Sequence, residues 1–143
     1  MRHVLRTLLA LVVAFVVATV VIMLVEMANG RLIYPELGRA AEGVTDREVV
    51  RQLMAAAPVG AFVVVLAGWF LGTVVGGLVA ARIARRAPSA HAIAVGVIIA
   101  LAGIANNLMI PPPAWFWVAG LLAPLAAGAL TARLVRAKSP PPE

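Results

Sequence analysis

Long uncharged stretches dominate the chain, and the few charges divide them. Thr7 to Val25 carries no charge and is bounded by Arg6 and Glu26. A second uncharged run lies between Arg51 and Arg82, with Pro58 near its start, where a first-turn proline suits a helix. A third runs from Ala87 to Ala132. As one helix it would be roughly 69 Å long, about twice the thickness of a hydrocarbon core. It must therefore turn, and Pro111-Pro112-Pro113 is the place. Consecutive prolines remove amide donors and restrict the residue before each ring, which ends a helix near Ile110. The pattern predicts an all-α integral membrane four-helix bundle with spans at about 5–28, 58–82, 89–110 and 114–135. Residues 1–137 make one four-span domain, residues 29–57 its outer loop and 138–143 a disordered tail with three prolines.

Composition points the same way. Of 143 residues, 63% are apolar and 13% charged. The mean hydropathy is +1.01. Soluble domains are about 45–50% apolar and about 25% charged, so the solvent of this chain is a bilayer. The absence of cysteine excludes disulfides, thiolate metal sites and cysteine nucleophiles. Two histidines, His3 and His91, are too few for a histidine-based metal site. No cofactor is expected, and the chain is read as a non-enzyme, since no Ser/His/Asp set, carboxylate pair or phosphate-binding glycine loop occurs. The net charge of +6 belongs to topology rather than to nucleic-acid binding, because there is no soluble basic domain to carry it.

Orientation follows from the basic residues. With the N-terminus in the cytoplasm, the inner side holds Arg2, Arg6, Arg82, Arg85, Arg86, Arg133, Arg136 and Lys138. The outer side holds Arg31, Arg39, Arg47 and Arg51, offset by Glu36, Glu42, Asp46 and Glu48. Both termini are thus expected in the cytoplasm. Arg2 and Arg6 resemble a signal-peptide n-region, but the apolar run after them is too long for one, so the first span is read as uncleaved. Arg82, Arg85 and Arg86 at the base of a tight inner hairpin suit topology or attraction to anionic lipid.

In the outer loop, Asn29-Gly30 and Tyr34-Pro35 read as turn or extended signals. Thr45-Asp46-Arg47-Glu48 matches a capping box and predicts a short amphipathic helix, with Val49, Val50, Leu53 and Met54 opposite Arg47 and Arg51. Ser89 is a candidate N-cap for the third span, two residues before an interfacial His91.

Small residues recur at helical spacing. Gly68, Gly72, Gly76 and Ala80 follow one another every four residues in the second span, widened by Gly77. Gly96, Ala100, Gly103 and Asn107 follow at steps of four, three and four in the third, and Gly120, Pro124 and Gly128 lie along one side of the fourth. Such stripes let helix backbones approach closely, within the bundle or in a homo-oligomer. Trp115 and Trp117 follow the prolines, where interfacial anchors belong, with an aromatic substrate box as the alternative. Trp69 and Phe70 read as packing or lipid-facing residues.

Intramembrane ionisable groups are functional candidates because hydrocarbon makes them costly. Glu26 comes closest, at the outer boundary. Thr19, Glu26 and Asn29 share a stripe, and Asn106 and Asn107 belong at the same depth. The expected polar cluster is Glu26, Asn29, Asn106 and Asn107 beneath the proline loop, neutralised by Arg31.

Gly76-Gly77-Leu78-Val79-Ala80-Ala81-Arg82, Glu26-Met27 before Tyr34-Pro35, and Asn106-Asn107 before the prolines and Trp115 are short motifs spread over nearly the whole chain. By them it resembles an uncharacterised family of small four-span bacterial inner-membrane proteins. The resemblance implies fold and location and carries no activity. The leading expectation is a non-enzymatic inner-membrane protein acting through helix packing with itself or a membrane-protein partner, surrounded by the lipid bilayer. Its rival is a small proton- or cation-coupled transporter or channel subunit using Glu26.

Overall fold

A computed structural model describes residues 2–84 and 86–137. The expected disordered tail, and with it Lys138, lies outside the described residues, as does Arg85. The chain runs α1 (Arg2–Ala28), a π-helical turn (Asn29–Ile33), α2 (Pro35–Ala41), α3 (Arg47–Ala56), α4 (Val59–Ala84), α5 (Pro88–Met109) and α6 (Ala114–Ala137). Four of these segments are long and apolar enough to cross a membrane: α1 with its π turn, α4, α5 and α6. In hydrocarbon an α-helix satisfies every backbone donor and acceptor within its own segment, which is why uncharged runs of this length become helices. The described boundaries differ from those read in the sequence by only a few residues.

Helix α4 is the centre. Helix α1 packs along one side of it, α5 and α6 pack on each other and on α4, and α1 meets α5 only lightly. The α1–α4 seam is made by two small stripes. Gly72 and Gly76 face the backbone of α1, where an added Cβ would lie 2.7 Å from the carbonyl oxygens of Ala18 and Ala14 respectively. From α1 come Ala10, Ala14 and Ala18, all fully buried. That alanine stripe escaped the sequence reading, because in a helix so rich in valine and leucine nothing flags three alanines. The α5–α6 seam is equally close, with Gly96 against the Pro124 carbonyl and the Gly128 backbone.

Two apolar clusters fill the interior. One joins Ala14, Ala18, Ala80, Val95 and Ile99. The other is the aromatic set Phe62, Trp69 and Phe116, against which Ile22 of α1 and Met54 of α3 pack. Thr73 and Thr131 are buried between the helices, yet each hydroxyl donates to the carbonyl four residues earlier, Trp69 at 2.7 Å and Ala127 at 2.8 Å. Both polar groups are thereby satisfied by their own helix.

At one end of the molecule side chains tie the helices together. Arg6 Nε donates to the Ile83 carbonyl at 2.7 Å, closing one of the free carbonyls in the last turn of α4. Ser89 does not cap α5. The helix begins at Pro88, preceded by Ala87 in the left-handed region at φ 46° with no side-chain cap. Ser89 Oγ instead donates to the Ala132 carbonyl of α6 at 3.2 Å. Proline at the first helical position needs no capped amide, and that frees the serine. His91 lies 3.0 Å from the Ala87 carbonyl through Nδ1 and 3.4 Å from Thr7 Oγ1 through Nε2.

The segment between α1 and α4 is more helical than its turn signals suggest. Asn29 and Gly30 continue α1 as a π turn, closed by the Tyr34 amide on the Asn29 carbonyl at 2.7 Å. Pro35 opens α2 rather than extending the chain. Gly30 and Gly38 lie backbone to backbone, an approach that a side chain at Gly38 would prevent. The cap of α3 is Asp46, not Thr45. Its carboxylate accepts from the amides of Glu48 and Val49, at 2.9 and 3.0 Å, so the helix starts one residue later than the capping-box reading implies. The Glu48 side chain turns to Arg51 and Gln52 instead. Arg47 reaches the Leu108 carbonyl at 3.0 Å and fastens α3 to the end of α5.

Candidate functional site

Because α1 and α5 barely touch, a cleft of about 230 Å3 opens between them, with α4 as its back wall. Phe15, Thr19, Met23 and Glu26 come from α1 at steps of four, four and three. The α5 side brings Ile99, Ala102, Gly103 and Asn106, and α4 brings Trp69. Helical spacing alone places each of these sets on one face.

Trp69 is the residue the sequence reading missed as a polar partner. Its ring is 4% exposed, and its Nε1–H donates to Glu26 Oε1 at 3.2 Å. A buried indole needs an acceptor for its one N–H, and an acidic residue facing it from a neighbouring helix is the signal that could have been read. Two glycines make room for the ring. A Cβ at Gly103 would meet Trp69 Cζ3 at 2.5 Å, and one at Gly120 would meet it at 3.1 Å. Phe116 packs edge-on against it at 5.6 Å between centroids. Gly103 therefore seats the donor that holds Glu26.

The expected cluster of four polar residues is divided. Glu26 and Asn106 share the cleft. Asn29 is turned away from it, buried, with Nδ2 donating to the Ala61 carbonyl at 3.0 Å. Asn107, 3% exposed, is not among the residues that line the cleft. The one-residue offset from Asn106 turns its side chain about 100° around α5 and into the interior. Asn29 Oδ1 and Asn107 Oδ1 are both buried without a hydrogen-bond partner among the described residues.

Arg31 does not neutralise Glu26. The ion pairs among the described residues are Arg39–Glu36 and Arg51–Glu48, so no basic side chain there lies within 4.0 Å of the Glu26 carboxylate. Arg31 lines a second, more polar groove of about 400 Å3 beside α2, together with Gly38, Arg39 and Glu42. Glu26 borders this groove as well. It is thus the wall common to the apolar cleft and the polar groove.

The remaining candidates have mainly packing neighbours. Gly68 faces Val25, and Ala80 and Ala100 are buried. Trp115 is exposed on one side and meets Phe62 edge-on at 5.9 Å, while Trp117 is half-buried. Phe116 between them is buried in the aromatic cluster. Among the described residues no three His, Asp or Glu side chains are grouped so as to hold a metal ion.

No family model, curated protein or solved structure matches the chain. Four helices long and apolar enough to span a bilayer point to a multi-pass membrane protein.

Proposed function

We propose that the chain is a non-enzymatic four-helix bundle of the bacterial inner membrane, with both termini in the cytoplasm, which acts through helix packing with itself or a membrane-protein partner. The observation that carries this reading is the position of α1. It is the least buried of the four long helices and holds to the others mainly along one alanine stripe. Val12, Val16, Val20 and Leu24 on its other side are exposed and available to a neighbouring helix. The two hydroxyls buried in α4 and α6 are bonded to their own backbones, which leaves little polarity for a path between those helices. Photo-crosslinkers at Val16 and Val20 in native membranes should give a discrete protein adduct. Only lipid adducts would reject the reading. The orientation rests on the charge asymmetry, with Arg82, Arg86, Arg133 and Arg136 at the end where no acidic residue is described. Cysteines placed at Thr45 and Ala137 should label from opposite faces of the membrane, Thr45 from outside.

A second reading, a small proton- or cation-coupled transporter or channel subunit, is favoured by Glu26. A carboxylate without a cationic partner among the described residues, set between an apolar cleft and a polar groove, is the kind of group such coupling needs. Substrate-driven proton release that disappears in Glu26→Gln would select this reading over the first.

A further inference from the structure

The cleft between α1 and α5 holds a carboxyl group, Glu26, that no basic side chain among the described residues balances. Glu26 accepts one hydrogen bond, from the neutral Trp69 indole, and its second oxygen has no partner among the described residues. Around the carboxylate the walls are Phe15, Ile22, Met23, Ile99 and the Trp69 ring, relieved only by Thr19 and Asn106. The space, about 230 Å3, is several times the volume of one water, about 30 Å3. A calcium or magnesium ion takes about six oxygen ligands or more, and one carboxylate, one hydroxyl and one carboxamide fall short of that set. A single ammonium asks less of the cleft, since its charge matches Glu26 alone, with the Thr19 hydroxyl and the Asn106 carboxamide as further polar groups in the same lining. The apolar walls then require an apolar body on the same molecule.

We propose that this cleft binds an amphipathic ammonium compound, its charged nitrogen at Glu26 and its apolar part between Phe15, Met23 and Ile99. The proposal rests on the second reading only in taking Glu26 as a cation site; binding does not require transport. The nitrogen comes either from a soluble lipophilic amine or from an aminophospholipid headgroup, since both present the same group at this depth.

The test uses the full chain in nanodiscs of phosphatidylglycerol, with 4-phenylbutylammonium as probe and 4-phenylbutanol as its uncharged counterpart. Calorimetric titration should show the ammonium binding at least about tenfold tighter than the alcohol. Glu26→Gln should remove that preference, and Ala102→Phe, which fills the cleft and keeps the carboxylate, should weaken both ligands. The two variants change different features, so loss of folding in one leaves the other decisive. Equal affinity of the parent for the two probes, or a preference that survives Glu26→Gln, overturns the proposal. Adding phosphatidylethanolamine to the nanodiscs separates the sources. Competition with the probe assigns the site to a lipid headgroup, and unchanged affinity assigns it to a soluble amine. Proteoliposomes separate this proposal from the transporter reading. Ammonium binding without coupled proton movement rejects transport and leaves the site standing, whereas coupled movement of another cation with no ammonium preference does the reverse.

Discussion

Helix α1 has two neighbours and treats them differently. Against α4 it closes completely, with Ala14 and Ala18 set on Gly76 and Gly72 at backbone distance. Against α5 it stays apart from Phe15 to Glu26, leaving the cleft that holds Glu26. The apolar character of α1 is much the same along its length, so hydrophobicity does not decide which seam closes. Side-chain size does. Where α1 offers alanine to glycine the backbones meet; where it offers Phe15, Thr19, Met23 and Glu26 to α5 they cannot. In lipid, where burying apolar surface brings little gain, close packing is what distinguishes one seam from the other.

The largest expected effect comes from breaking the closed seam. Gly76→Leu should cost about 1–3 kcal/mol or more, because its Cβ alone would press on the Ala14 carbonyl. A lowered temperature of aggregation in detergent reads this out. Gly103→Ala should cost about 1 kcal/mol by overpacking, since the Trp69 ring must move away from the new methyl group. A shift in tryptophan emission should accompany it. Trp69→Phe retains most of the bulk and removes the donor to Glu26. Its cost should be near the ~0.6 kcal/mol average for hydrogen bonds between membrane helices, measured by unfolding in mixed micelles. Ala102→Leu adds bulk as Gly76→Leu does, but into the open cleft, and should change stability by less than about 0.5 kcal/mol. A loss as large as that of Gly76→Leu would mean that the α1–α5 seam is closed.

The smallest effect lies outside both seams. Arg51 and Gln52 hold the Glu48 carboxyl at about 2, below its ordinary 4.5. A depressed value means that the contribution of Glu48 to α3 is present above pH 4.5 and is lost as the pH falls toward 2. Backbone amide exchange should therefore quicken in α3 on acidification while α4 and α5 stay protected. Equal quickening in all three would tie the loop to the seams.

The four long helices were legible because charges and the proline triplet mark their ends, and bilayer thickness converts run length into spans. The cap of α3 was displaced by one residue because Thr45 and Asp46 are both good caps, and only the backbone angle at each decides between them. The candidate site was half legible. Glu26 stood out as a charge at the edge of an apolar run, and Asn106 as a polar residue at matching depth. Asn107 could not be told from Asn106, because that choice depends on the rotation of α5 about its axis. Trp69 was hidden for a related reason. A tryptophan in an apolar run reads as packing until the helix opposite is known to bring a carboxylate to its N–H.

The bond from Arg6 to the Ile83 carbonyl has a consequence for how the chain is made. Its two ends are 77 residues apart, so the guanidinium leaves the ribosome long before its partner. During that interval α1 must sit in lipid alone, and as the most hydropathic of the four spans it is suited to do so. Hydropathy then falls from each span to the next. The later helices exchange leucine and valine for glycine and alanine, and enter the bilayer beside a helix already there. The bond can close only once the last turn of α4 has been made, since Ile83 is the penultimate residue of that helix. The first helix is thus present before α4, the helix on which α5 and α6 pack.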